Sequence, residues 1–195
     1  MSTREAIIEA AAKIFAEKGY EGMTIKLIAD EVGVTPPAVY AFFKNKEEVF
    51  LQVYRLVLTD HFDIAAYHSE KLQDLPVKEQ LYKILVELFN YHIREELQVK
   101  IFMRLLLFPP DVFSVNLKEE LIKVEEMEID LFSRIFERGI QSGELRPGDS
   151  RAYAVAMLCL MDGLFWQLQR YDEEAFWRKF ELAWTQFWEG IVKRD

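Results

Sequence analysis

Apolar residues recur at helical spacing along almost the whole chain, and no stretch shows the alternation of a strand. Ile7, Ala11, Ile14 and Phe15 share one face behind Ser2 and Glu5, which stand as a capping box, and Lys18-Gly19 stops that helix. Ile25, Ile28, Ala29 and Val32 form a second, shorter stripe. Thr24 stands at its N-cap, Met23 and Ile28 at the places of a hydrophobic staple, and Gly33 supplies a left-handed stop. Thr35 then caps a third helix whose first turn carries Pro36 and Pro37, where a backbone N–H would have no helical partner. Val39, Phe42 and Phe43 are its inward positions.

Asn45, with Glu48 three residues on, opens a long helix to about Ser69, with Val49, Phe50, Val53, Leu56, Val57, Phe62 and Ala65 inside. Pro76 opens the next, through Leu81, Leu85, Leu88, Phe89 and His92. A helix of a dozen residues ends at Pro109-Pro110, and Asn116 with Glu119 caps a longer one ending near Ser142-Gly143. Past the Gly143-to-Gly148 loop, Asp149 caps a helix to about Tyr171 and Asp172 a last one to about Val192. The pattern predicts an all-α chain of about nine helices. Residues 1–46 make a three-helix unit and residues 47–195 a larger helical domain. A unit that small is marginal alone, so its first helix must pack on the other two and the helix from Asn45 must brace them.

Residues 24 to 48 place two short helices about a tight turn, the helix-turn-helix arrangement that lays its second helix in a DNA major groove. The run resembles the tetracycline-repressor (TetR) family of bacterial transcription regulators. The resemblance rests on Phe15-Ala16-Glu17-Lys18-Gly19-Tyr20, Thr24, Ile28-Ala29, Gly33-Val34-Thr35, Tyr40-x-Phe42-Phe43 and Lys46-Glu47-Glu48, all at the family's spacing. It covers about a quarter of the chain; the rest agrees in length and helical content. The resemblance implies that Thr24, Tyr40, Lys44 and Lys46 hold phosphates of an operator duplex, and that Thr35, Pro36, Pro37, Ala38 and Ala41 face base edges. The family usually has a small residue at position 37 and often His at 41; Pro37 and Ala41 stand here. The mode of DNA binding therefore carries over, and the operator sequence does not.

Charge complicates the picture. The net charge is −9, whereas a DNA-binding domain usually has a basic footprint. Distribution matters more than the sum: Lys26, Lys44 and Lys46 flank the helix-turn-helix, while Glu5, Glu9 and Glu17 lie on another helix.

The last two helices are unusually aromatic. Trp177, Trp184 and Trp188 follow one side of the final helix, and Phe176, Phe180 and Phe187 widen the stripe beyond one buried face. Ala152, Ala156, Cys159 and Gly163 form a ridge of small residues that lets helices approach closely. Burial against a second copy in a two-fold homodimer accounts for both features, and the resemblance implies the same assembly.

No phosphate loop, nucleophile elbow, Cys-x-x-Cys or His-Glu-x-x-His appears, so neither enzyme chemistry nor a cofactor or metal is expected. His61 and His68 share a face but read as solvated or hydrogen-bonded, Cys159 as a small core residue, and the acids from Glu119 to Asp130 as a solvated face. Phe62, Phe89, His92, Phe102, Met103, Met127, Leu131, Met161 and Phe165 either fill the core or line an apolar cavity; the resemblance implies a cavity for a small effector, here a hydrophobic one. No apolar run reaches the roughly 20 residues of a membrane span, and a single cysteine fits a reducing cytoplasm. Two other readings follow from the same residues. One is a helical carrier or enzyme for a hydrophobic small molecule, with a non-functional helix-turn-helix. The other is a constitutive DNA-binding dimer with a solid core.

Overall fold

The computed structural model describes residues 2–110 and 114–193, the side chains of 114–116 excepted. The described residues form nine helices: α1 (Thr3–Gly22), α2 (Ile25–Val32), α3 (Pro36–Tyr40), α4 (Lys46–Lys71), α5 (Val77–Arg94), α6 (Glu96–Leu107), α7 (Ser114–Ser142), α8 (Ser150–Leu168) and α9 (Glu173–Ile191). The side chain of Asn116, expected as a cap, lies outside the described residues, and α7 already begins two residues before it.

Local chemistry sets most of the boundaries. Ser2 Oγ accepts from Glu5 N and Ser2 N donates to Glu5 Oε2 at 2.8 Å, closing the first capping box. Gly19 breaks α1 at φ 71°, ψ −176°, a conformation that favours glycine, before one further turn. Thr24 Oγ1 accepts from Leu27 N at 3.2 Å, and Gly33 ends α2 at φ 76°. Asn45 Oδ1 accepts from Glu48 N at 2.9 Å, but the Glu48 carboxylate accepts from Lys44 N rather than from the cap residue itself. Asp149 and Asp172 cap α8 and α9 through Arg151 N and Ala175 N.

Residues 1–61 and 92–121 form one compact unit, and residues 62–91 and 122–195 a second. In the first, Phe50 of α4 is buried, with its ring 5.2 Å from Phe15 and 5.0 Å from Tyr20, so α4 does brace the N-terminal helix. Tyr54 Oη donates to Leu117 O at 2.8 Å, and burial pushes its phenol pKa up. Arg104 of α6 donates to Glu17 O at 3.3 Å, beside the Gly19 break. Leu56, expected inside, is 52% exposed, because the buried stripe of α4 turns through Tyr54 and Leu58 instead.

In the second unit the core joins α5 to α9. Phe89 meets Phe176 and Phe180 at 5.1 and 5.7 Å, and Tyr82 meets Trp184 at 5.7 Å. Trp184 and Trp188 are 4% and 6% exposed. Their burial is complete within one chain, which corrects their assignment to a subunit interface: α5 covers the aromatic stripe. Trp177 is half-buried against Phe176 and Phe180. Arg138 of α7 donates to the carbonyls of Gln73 and Leu75 and to the Gln80 side chain, while Gln80 Nε2 donates to Ser69 O, which together close the α4–α5 loop. On α8, Ala152, Ala156, Cys159 and Gly163 are all exposed, so Cys159 is not a core residue. Among the acids of α7, Glu126 and Asp130 hold Arg151, and Glu128 is buried rather than solvated.

Candidate nucleic-acid interface

The helix-turn-helix is built from the inside outward. Ile28 and Ala29 of α2 and Val39 of α3 are fully buried, where α2 packs against both α1 and α3. Between them Val34 N donates to Ala29 O at 2.9 Å behind the left-handed Gly33, the bond pattern of a glycine helix stop. What remains turns outward. Thr24, Lys26, Thr35, Pro37, Tyr40, Ala41 and Lys44 are exposed, and Pro36 and Ala38 are half-exposed.

The short α3 has unusual chemistry. Pro36 and Pro37 remove two backbone donors from its start, and Ala38 N is spent on Thr35 O at 2.9 Å. A helix N-terminus usually offers such donors to phosphate; here the face is mostly carbon, with one hydroxyl. That hydroxyl belongs to Thr35, which occupies the N-cap position yet makes no side-chain cap bond. Phe42, expected inward, is 45% exposed. The regular helix has ended at Tyr40, so the i+3 spacing from Val39 no longer carries Phe42 to the inner face, and Phe43 takes that place.

The charges sort themselves. Glu48 is engaged with Lys44 N. Glu47 lies against Tyr20, whose phenol is pushed up to about 12, chiefly by burial and then by Glu47. The Lys46 ammonium sits 4.0 Å from the Tyr20 ring centroid, a cation–π contact. Lys26 and Lys44 are therefore the exposed cations flanking α3, and Lys46 is half-buried beside them. Two contacts were not foreseen from the sequence. Arg104 reaches Glu17 across 87 positions, and Arg4 lies 5.3 Å over the Phe43 ring. A long-range partner leaves no local signal.

This arrangement of buried apolar hinge and exposed short helix coincides with a recognisable family pattern. Residues 7–53 match the model described as bacterial regulatory proteins, tetR family, and residues 67–193 the one described as QacR-like protein, C-terminal region. The chain belongs to the TetR family of transcriptional regulators. Among its relatives is the uncharacterized HTH-type transcriptional regulator YhgD of Bacillus subtilis, 28% identical over 86% of this chain and 84% of that one. NalD of Pseudomonas aeruginosa, the secondary repressor of the MexAB-OprM multidrug efflux pump, is 26% identical with TM-score 0.72, over 99% of this chain and 97% of that one. The fold is also that of SmeT, the Stenotrophomonas maltophilia efflux-pump repressor, in its triclosan complex: TM-score 0.79, 24% identity, 99% and 93% covered. As a TetR-family regulator the chain is all-helical with an N-terminal helix-turn-helix, and no described helix is long and apolar enough to cross a membrane.

The residues expected around an effector are less uniform. Phe89, Leu131, Met161 and Phe165 are buried, and Phe62, His92, Phe102 and Met103 are half-buried. Met127 is 47% exposed on α7 and does not face inward there. His92 stacks on His61 with centroids 5.2 Å apart, so His61 meets another histidine rather than His68. Burial, with the His61 charge second, lowers the His92 pKa to about 3.

Proposed function

We propose that this regulator is a repressor that acts in the cytoplasm as a homodimer on a palindromic operator and is released by a small hydrophobic effector. The observation that carries the reading is the outward face of α3. Val39 is buried while Thr35, Pro37, Tyr40 and Ala41 stand exposed, so the helix can enter a groove without disturbing the core beneath it. Residues 1–46 bind DNA and residues 47–195 dimerise and sense the effector. Thr24, Tyr40, Lys26 and Lys44 hold phosphates, joined by Lys46 once it leaves Tyr20. Thr35, Pro36, Pro37, Ala38 and Ala41 read base edges. Such a face favours thymine methyls and groove shape over bidentate side-chain contacts. Two copies of α3 would reach half-sites about 34–36 Å apart, or a multiple of that.

For the dimer, the support is the face of Ala152, Ala156, Cys159 and Gly163 on α8, with Val155 beside it and Leu182 of α9 70% exposed. Glycine inside a helix costs stability, yet a Cβ added at Gly163 or Gly190 would meet nothing within 4 Å of its own chain. A helix of a second copy approaching closely gives both glycines a reason. Trp177 lies about 140° round α9 from Leu182 and is not part of that face. For the effector, the support is the buried or half-buried apolar set of Phe62, Phe89, Leu131, Met161 and Phe165 in the second unit, together with the triclosan bound by SmeT. Differential affinity for the DNA-competent and released states, of about 1–3 kcal/mol, would change operator affinity by roughly 5- to 150-fold.

The test is selection of bound duplexes from a random pool by the purified protein at physiological salt. An enriched palindrome supports the reading and yields the operator. No enrichment, in the presence of hydrophobic ligands or without them, overturns it in favour of a helical carrier.

A further inference from the structure

The end of the recognition segment carries a cation that the helix-turn-helix does not itself contain. Arg4, in the first turn of α1, is exposed, and its guanidinium carbon lies 5.3 Å from the centroid of the Phe43 ring. Arg4 Nη2 donates to Gln52 Oε1 of α4 at 3.0 Å, across 48 positions. All three residues belong to one compact unit. The Phe43 ring is 2% exposed and forms the floor on which the arginine rests, while Lys44, next along the chain, is exposed.

Both partners of Arg4 are neutral, and this sets it apart. On helix faces elsewhere, basic side chains are paired with carboxylates: Lys13 with Glu9, Lys83 with Glu79, Lys100 with Glu96, Arg178 with Glu174, and Arg151 with Glu126 and Asp130. Arg4 has no carboxylate partner among the described residues. The positions one turn further on, where an intrahelical partner would stand, hold Ile7 and Ile8, both buried. Its acidic neighbour Glu5 accepts from Ser2 N in the capping box. An aromatic ring and a neutral amide therefore hold the guanidinium in place without cancelling its charge. One donor of the planar fork goes to Gln52, and the others make no bond among the described residues. Such a fork, held still and left charged, matches phosphate oxygens in geometry as well as in sign. A side chain that merely covered Phe43 would need length and not charge.

We propose that Arg4 is a phosphate-binding residue of the operator interface, reaching the duplex backbone beside Lys44, with Gln52 and Phe43 as the groups that position it. This rests on the repressor reading and extends it: the DNA-binding surface includes the start of α1, outside the helix-turn-helix.

The probe is the palindromic duplex that the wild-type protein enriches from the random pool, with affinity measured by filter binding at several salt concentrations. Arg4→Gln should lower the slope of log affinity against log salt by about 0.9 for each phosphate that the guanidinium no longer neutralises, or about 1.8 for two copies on one palindrome. Arg4→Lys keeps the charge and should keep the slope. Damage to the packing around Phe43 would instead lower the active fraction at every salt concentration, which displaces the line without changing its slope. An Arg4→Gln slope equal to that of wild type would overturn the proposal while leaving operator binding intact. So would an Arg4→Lys slope as low as that of Arg4→Gln. If the wild-type protein enriches no duplex, the repressor reading itself fails, and the role of Arg4 fails with it.

Discussion

Gly163 offers the sharpest test of the dimer, because its two possible surroundings give opposite signs. It lies well inside α8, and an added Cβ there would meet nothing within 4 Å. If that face is bathed in water, Gly163→Ala should stabilise the chain by about 0.5–1 kcal/mol, the usual gain in a helix interior. Gly163→Leu should then do nearly as well. If a second copy covers the face, the larger side chain enters a packed contact. Overpacking costs roughly 1–3 kcal/mol per site, and a two-fold interface contains the site twice. The dimer would be weakened by about 2–6 kcal/mol, or about 30-fold to about 20,000-fold in dissociation constant. Sedimentation velocity across a concentration series, on wild type, Gly163→Ala and Gly163→Leu, reads this directly. Urea denaturation at fixed concentration supplies the stability side. A Gly163→Leu protein that sediments as wild type does, and resists urea better, would refute the interface at α8.

Three further outcomes follow from the same geometry. Thr24→Ala removes a cap bond and should cost about 1 kcal/mol, whereas Thr35→Ala, with no such bond, should leave the urea midpoint in place and alter the selected operator; equal destabilisation by both would contradict the division of labour. Lys44→Ala should lower the slope of log affinity against log salt by about 0.9 for each phosphate that the ammonium no longer neutralises, and by more than Lys46→Ala, whose ammonium already rests on Tyr20; filter binding at several salt concentrations distinguishes the two. The folded-state pKa of His92 is about 3, below its usual 6.5. The unfolded chain therefore binds more protons between those values, and His92's contribution is complete above about pH 6.5 and declines as pH falls. At about pH 5 the decline should amount to about 1–2 kcal/mol, and denaturation of His92→Gln should show a shallower fall in stability from neutral to acid pH than wild type; parallel curves would show that His92 is already charged in the folded state.

The aromatic stripe of α9 shows where sequence reasoning reached its limit. Helical periodicity correctly marks Phe176, Phe180, Trp184 and Trp188 as residues that must be covered, because the spacing of a helix determines which side chains share a face. It does not say by what. The abundance of aromatics implied a second chain, and α5 of the same chain supplies the cover through Tyr82 and Phe89. Phe42 fails for a related reason. Its inward placement assumed a helix continuing beyond Tyr40, and the last turn does not continue.

Helix starts and stops were legible in advance because they are local events. A capping side chain bonds a backbone group two or three residues away, so Ser2, Thr24, Asn45, Asp149 and Asp172 announce their helices without reference to anything distant. Gly19 and Gly33 announce stops because few other residues tolerate positive φ. The helix-turn-helix is made of such events in close succession, and so its identity could be read from residues 24 to 48 alone. The resting place of Lys46 on Tyr20, the reach of Arg104 to the Gly19 break and the seat of Lys78 on Trp188 arise differently. Each joins residues brought together only by packing, and a side chain's charge or length does not name its distant partner. The chemistry of each residue was present from the start; the assignment of partners required the folded chain, because contact depends on distance in space and not on distance along the sequence.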